Sequence, residues 1–118
     1  MLRKICLFVI ISCVLSLVSA TYLDINRSVP TTDEVKHYVL YCHPPGGTHP
    51  KPVQACEKIA SVHGNLSLLT PAPAIDCIAG GDAVTVEVKG KYNNRRIHFK
   101  STYPNGCLAY VVLGDIYA

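Results

Sequence analysis

The 118-residue chain carries none of the short motifs by which common enzymes are recognised. There is no G-x-S-x-G turn to present a nucleophilic serine, no H-E-x-x-H helix to hold zinc, and no glycine-rich phosphate loop. It has no C-x-x-C pair, so its cysteines lack the spacing of a compact zinc site. Five histidines, His37, His43, His49, His63 and His98, are scattered without metal-ligand spacing and read as surface or loop residues with ordinary hydrogen bonds. Internal repeats and low-complexity tracts are missing, and no apolar run reaches the roughly 20 residues that cross a bilayer. These absences argue against catalysis, a bound metal and a cofactor.

What is present begins with Arg3 and Lys4, an apolar run over 5–18 and the small-residue end Val18-Ser19-Ala20. That is the plan of a secretory signal peptide over residues 1–20, with an uncleaved anchor as the alternative. Removing 20 of the 118 residues leaves 98, enough for one domain over 21–118 with a modest core. The expected destination is extracellular, with no membrane contact once the leader is cut. Arg3 and Lys4 leave with it, so 11 basic residues become 9 against 8 acidic ones. A near-neutral mature chain has no electrostatic case for nucleic acid as its main partner.

Cys6 and Cys13 also leave, and Cys42, Cys56, Cys77 and Cys107 remain. Four cysteines in a small exported chain read as two disulfides, which leaves no thiol to act as a nucleophile. Three pairings are open, and spacing alone does not choose among them. Each bridge stabilises by roughly 3–4 kcal/mol on the loop-entropy model. N-x-S sequons at Asn26 and Asn65 matter only in a host that glycosylates exported chains.

Along the mature chain, residues 21–32 are polar enough to predict a loose arm. Residues 35–41 (V-K-H-Y-V-L-Y) are rich in β-branched and aromatic types and read as a strand. Residues 43–52 hold four prolines and two glycines, a turn-dense loop. Val53, Cys56, Ile59, Ala60 and Val62 then fall close to a helical stripe, stopped by Gly64. Leu66, Leu68 and Leu69 are expected to cap the core. Val84, Val86 and Val88 alternate with Thr85, Glu87 and Lys89, the pattern of a half-buried antiparallel strand. Gly90 suggests a bulge. Asn93-Asn94 suits a two-residue turn, because asparagine tolerates positive φ. A return strand over 95–103 would turn Ile97 and Phe99 inward, with Arg96, His98 and Lys100 outward. After a turn at 104–106, the apolar tail 110–117 reads as a further strand. The sum is an α+β domain.

The stretch 75–82, Ile75-Asp76-Cys77-Ile78-Ala79-Gly80-Gly81-Asp82, leads from a proline-rich loop through a cysteine into the strongest strand pattern of the chain. A short segment held by sulfur behind and by a strand ahead suits display to a partner. A second candidate surface is the basic cluster Lys89, Lys91, Arg95, Arg96, His98 and Lys100, all on one expected hairpin. The plain interpretation of that cluster is a solvated sheet face. The sharper one is a patch for an acidic surface or a glycan.

Several of these residues form a frame. Cys42-x-Pro44 is followed by Gly47-Thr48-His49-Pro50, Cys56, a helix and Gly64; Cys77, a valine run ending at Gly90, Arg96, Asn105-x-Cys107 and an apolar aromatic tail complete it. Over roughly 35–117 the chain resembles the subtilisin-inhibitor family of Streptomyces, small exported inhibitors of serine proteases. The spacings from Cys56 to Cys77, Cys77 to Gly90 and Gly90 to Cys107 match the family's without a gap. The resemblance implies sequential disulfides, Cys42–Cys56 and Cys77–Cys107, and a five-stranded antiparallel sheet with two packed helices. It further implies a homodimer through the sheet and a reactive bond between Ala79 and Gly80. Cys77 and Ile78 would lie on the acyl side, Gly81 and Asp82 on the leaving side.

The loop departs from the family's habit, which commonly puts Met, Lys or Arg before the bond and often Pro one residue earlier. Ala79 and Ile78 stand there instead. Losing a Met-sized side chain from a specificity pocket costs roughly 1.5–3 kcal/mol. Gly80 and Gly81 each add freedom to the unbound loop, about 0.4–1 kcal/mol. Asp76 would face a region of subtilisin-like enzymes that prefers apolar groups. Small Ala79 suits an elastase-like or permissive subtilisin-like pocket. The expected function is therefore secreted inhibition of such a serine endopeptidase. The alternative is a non-inhibitory binding module on the same scaffold, working through the basic hairpin 89–100.

Overall fold

The computed structural model describes residues 20–73 and 75–117. The expected leader lies, but for Ala20, outside the described residues. Five strands form one antiparallel sheet: β1 (Tyr22–Val29), β2 (Glu34–Tyr41), β3 (Gly46–Gly47), β4 (Val84–Tyr92) and β5 (Arg95–Tyr103), in the order β3-β2-β1-β4-β5. Two helices, α1 (Pro52–Ser61) and α2 (Gly106–Leu113), complete the α+β architecture, with short 3-10 turns at Leu66–Leu68 and Gly114–Ile116.

The expected N-terminal arm is instead the central strand of the sheet. β1 pairs with β2 on one side and β4 on the other, so its ladder is filled along both edges. Leu23 and Ile25 are completely buried, while the polar residues between them face the other side of the sheet. With only two strong apolar residues in the alternation, the period-2 signal is too short to stand out; two partner strands supply what local propensity lacks.

In β4, Val84, Val86 and Val88 are buried as the alternation predicts. Gly90 makes no bulge. It pairs in register with Leu23 and Ile97, and a Cβ there would lie 2.1 Å from the Tyr22 carbonyl oxygen. The glycine serves a close backbone approach, not an extra residue. Asn93 and Asn94 do form the expected turn, with φ of 48° and 66°.

The C-terminal tail is helical, not a strand. Val111 and Val112 favour strands by propensity, but Asn105 decides the outcome. Its Oδ1 accepts from the Leu108 amide at 2.9 Å and caps α2. Ala109, Leu113 and Ile116 then fall on one buried face at spacings of four and three. Leu66 enters the core as expected and Leu69 packs against it, whereas Leu68 is left exposed.

The disulfides are Cys42–Cys56 and Cys77–Cys107, the sequential pairing. The first ties the end of β2 to α1 beside Ala55 and Ile59, both fully buried.

The Gly47-Thr48-His49-Pro50 segment is a clamp. The amides of Thr48 and His49 both donate to the Val39 carbonyl, and Thr48 Oγ1 accepts from the Val39 amide. His49, expected at the surface or in a loop, is in a loop but only 3% exposed. Its Nδ1 accepts from the Lys51 amide at 3.0 Å, so Nε2 carries the hydrogen and donates to the Ile116 carbonyl at 3.2 Å.

Burial holds the His49 ring below its ordinary titration range, partly offset by its bond to Ile116. Because its folded pKa is depressed, the unfolded chain takes up this proton first as pH falls, and stability is lost from about 6.5 downward. The urea midpoint should therefore drop between pH 7.5 and pH 5. In His49→Gln, which keeps one donor and one acceptor, that pH-dependent drop should shrink; an equal drop in both proteins would remove His49 as its source.

Candidate functional site

Residues 75–82 are suspended between fixed points. Pro71 and Pro73 have no amide hydrogen to continue a ladder. Between them the Ala72 amide donates to the Val111 carbonyl at 3.0 Å, which pins the approach to α2. Cys77 is bound to Cys107 in the first turn of α2. On the far side Ala83 is partly buried and Val84 begins β4 at 3% exposure. Between Cys77 and Ala83 every residue is exposed, and Ile78 reaches 93%. An isoleucine that contributes nothing to the core is available to a partner.

A third fixed point is Asn105, itself only 7% exposed. While its Oδ1 caps α2, its Nδ2 donates to the Gly80 carbonyl at 2.8 Å. Gly80 and Gly81 have φ of 108° and 90°, values that side chains of L-residues rarely adopt. A Cβ on Gly81 would approach the Asn105 Cβ to 3.2 Å, whereas one on Gly80 would meet nothing within 4 Å. The freedom expected of the two glycines is thus curbed on one side by a hydrogen bond.

The structure accordingly brings Ile75, Asp76, Cys77, Ile78, Ala79, Gly80, Gly81 and Asp82 into one displayed loop against the start of α2. It does not bring the basic hairpin to them. The β4–β5 pairing puts Val84 and Tyr103 at the loop end and Tyr92 and Arg95 at the other. The histidines stay dispersed: His37 pairs with Asp24 at 3.0 Å, His98 with Glu87 at 2.7 Å, and His43 stands by the Tyr92 ring. Asn105 is legible in the sequence only as part of a turn and of the Asn105-x-Cys107 spacing, with no role of its own. An asparagine one residue before Gly-Cys could signal a helix cap, but the signal is invisible once the tail is taken for a strand.

With this geometry in view, the comparisons with known proteins agree with one another. The subtilisin inhibitor-like family model matches residues 17–105. Subtilisin inhibitor-like protein 12 of Streptomyces hygroscopicus is 40% identical over 94 residues, covering 75% of this chain and 85% of that protein. Subtilisin inhibitor-like protein 5 of Streptomyces fradiae is 30% identical, covering 79% of this chain and 88% of the relative. Among solved structures, Streptomyces caespitosus sermetstatin in complex with Bacillus licheniformis subtilisin aligns with a TM-score of 0.64 and 34% identity. That alignment spans 85% of this chain and 97% of the inhibitor chain. The chain belongs to the subtilisin inhibitor-like family.

Proposed function

We propose that this chain is a secreted inhibitor of subtilisin-like or elastase-like serine endopeptidases that offers the Ala79-Gly80 bond as a poor substrate. The observation that carries the reading is that the segments on both sides of this bond are tied to one helix turn. Cys77, on the acyl side, is joined to Cys107, and Gly80, on the leaving side, is held by Asn105 two residues away.

The chemistry follows from that tether. The acyl side, through Ile78 and Ala79, enters the protease cleft by pairing its backbone like an added strand. The Ala79 carbonyl meets the enzyme's serine and oxyanion hole as a substrate's would. Cleavage frees the Gly80 amine, but Asn105 holds that residue's carbonyl and β4 holds the chain beyond it. The amine stays beside the acyl carbon at high effective concentration, so religation outruns hydrolysis. The same ties lower the ordering cost of binding, which lets a standard-sized interface become tight.

The named relatives include subtilisin inhibitors, and the aligned inhibitor is bound to subtilisin. Ala79 in place of a longer residue favours a target with a small or permissive specificity pocket. The homodimer fits the outer sheet face over β1 and β2, where Tyr22, Val35 and Tyr41 remain 42%, 66% and 45% exposed. Sedimentation should then give twice the chain mass, and Val35→Asp should shift it to the monomer. A monomeric parent protein would remove this assembly.

Inhibition titrated against a subtilisin and elastase panel, with mass spectrometry of the product, should show equimolar inhibition and slow nicking at Ala79-Gly80. Rapid cutting there without inhibition would overturn the reading. Ala79→Met should tighten subtilisin inhibition about tenfold to a hundredfold; an unchanged constant would move the reactive bond elsewhere.

Asn105→Asp keeps the cap acceptor but loses the donor to Gly80, since asparagine and aspartate cap helices about equally well. The melting temperature should hold while nicking accelerates about tenfold. A nicking rate equal to that of the parent would show that Asn105 does not retain the leaving side.

A further inference from the structure

The end of the molecule away from the reactive loop carries a charge arrangement that folding alone does not explain. On the outer sheet face Lys91 stands directly opposite Arg96, with Lys89 and His98 as the next outward pair along the hairpin. Like charges at directly paired positions destabilise a sheet. Glu87, the acid in this part of β4, already bonds His98 at 2.7 Å and lies 4.0 Å from Lys89. That leaves Lys91 and Arg96 exposed on this face and without an ion-pair partner among the described residues.

Lys91 and Arg96, with Lys89 and His98, line a shallow depression of about 400 Å³ whose wall also includes Tyr22, Asp24 and Ile97. Asp24 is engaged by His37 at 3.0 Å and by the Tyr22 hydroxyl at 3.4 Å.

From this arrangement we infer a binding face for a linear anionic polysaccharide, bearing sulfate or carboxylate groups, at the turn end of the β4–β5 hairpin. Neighbouring strands lie about 4.8 Å apart, and alternate residues on one strand about 6.7 Å apart. Lys89 and Lys91 on one strand, opposite His98 and Arg96 on the next, with Lys100 one outward position beyond His98, therefore form two short rows that follow an extended chain. The face is flat, with one tyrosine ring at its margin, so it has neither a groove for a duplex nor a row of aromatics on which bases stack. A chain whose anionic groups meet Lys89, Lys91 and Arg96 in turn fits it better. A two-fold dimer through this half would set cations against cations, which confines such a contact to the β1–β2 half.

The nine residues of β4 hold the two ends roughly 26 Å apart at about 3.3 Å per residue. Both can be occupied at once, so the face is a tether that retains the protein on an anionic matrix while leaving the reactive loop free.

The experiment is binding to immobilised heparin at 150 mM NaCl. The parent protein should be retained, and the double variant Lys91→Gln, Arg96→Gln should bind at least tenfold more weakly. The control Lys36→Gln, Lys51→Gln loses the same charge from exposed pairs elsewhere and should change binding less than twofold. No retention of the parent, equal losses in both double variants, or tighter binding of a DNA duplex of matched charge would each overturn the assignment. Protease inhibition, or cleavage at the loop if inhibition is absent, should be unchanged by saturating heparin and by the hairpin variant. Interference would contradict the independence of the two ends.

Discussion

The first turn of α2 is the constraint on which the rest of the molecule's behaviour depends. Within three residues it supplies a cap, a hydrogen-bond donor and a sulfur. Asn105 Oδ1 satisfies an orphan amide of the helix, its Nδ2 fixes the Gly80 carbonyl, and Cys107 fixes Cys77. A side-chain amide has one acceptor and one donor group, and here each has a separate task. An aliphatic residue at 105 would leave both the helix amide and the loop carbonyl without partners. The bridge encloses a separation of 30 residues, for which the chain-entropy model gives about 3.6 kcal/mol. That is a large share of the 5–15 kcal/mol or so that holds a typical domain together. Loop display and fold stability thus rest on the same residues.

That turn is held in place by the buried clamp at the other end of the C-terminal segment. Ile116, fully buried, packs in the core, and its carbonyl is the acceptor for His49. His49 is aligned through Lys51 at the start of α1 and through the Val39 carbonyl of β2. The sequence Gly47-Thr48-His49-Pro50 therefore acts on the reactive loop without touching it. A Cβ on Gly47, at φ 100°, would lie 2.2 Å from the Val39 carbonyl oxygen, so only glycine lets the chain run this close to β2. The clamp then locks the C-terminal turn against α1, and α2 with it. A histidine that reads in the sequence as an ordinary loop residue is a buried bridge between two backbone segments.

The sequence made some of these elements legible and hid others for physical reasons. β4 was plain because Val84, Val86 and Val88 bury one whole face, and the Asn93-Asn94 turn because few residues accept two positive φ values in a row. The α1 helix was plain through its Ile59 and Cys56 stripe. β1 was hidden because its stability comes from two neighbours 10 and 60 or so residues away, not from its own composition. α2 was hidden because a helix apolar all round has no periodicity, and valines bias such a run toward strand. The position of the loop could be read from its cysteine and the family frame. Its third tether could not, since Asn105 matters only once a helix begins after it.

The distribution of burial explains how the loop can depart from its relatives' habit while the frame holds. Asn105 and Val84 are buried and Cys77 partly so, and losing the cap, the packing or the bridge they supply alters the fold. Ile78, Ala79 and Asp82 face solvent and have no packing to lose. Surface substitutions of this kind shift stability by only about 0.5 kcal/mol, whereas in the proposed complex the same side chains would meet the protease pocket, where a few methylenes are worth roughly 1.5–3 kcal/mol. Specificity can therefore change by orders of magnitude at almost no cost to folding. Gly80 and Gly81 are the exceptions: φ of 108° and 90° keeps both positions to glycine, Asn105 holds the Gly80 carbonyl, and Gly81 lies against the Asn105 Cβ. In the proposed mechanism the side chains before the Ala79-Gly80 bond would therefore select the target, and the glycines after it would retain the cleaved end.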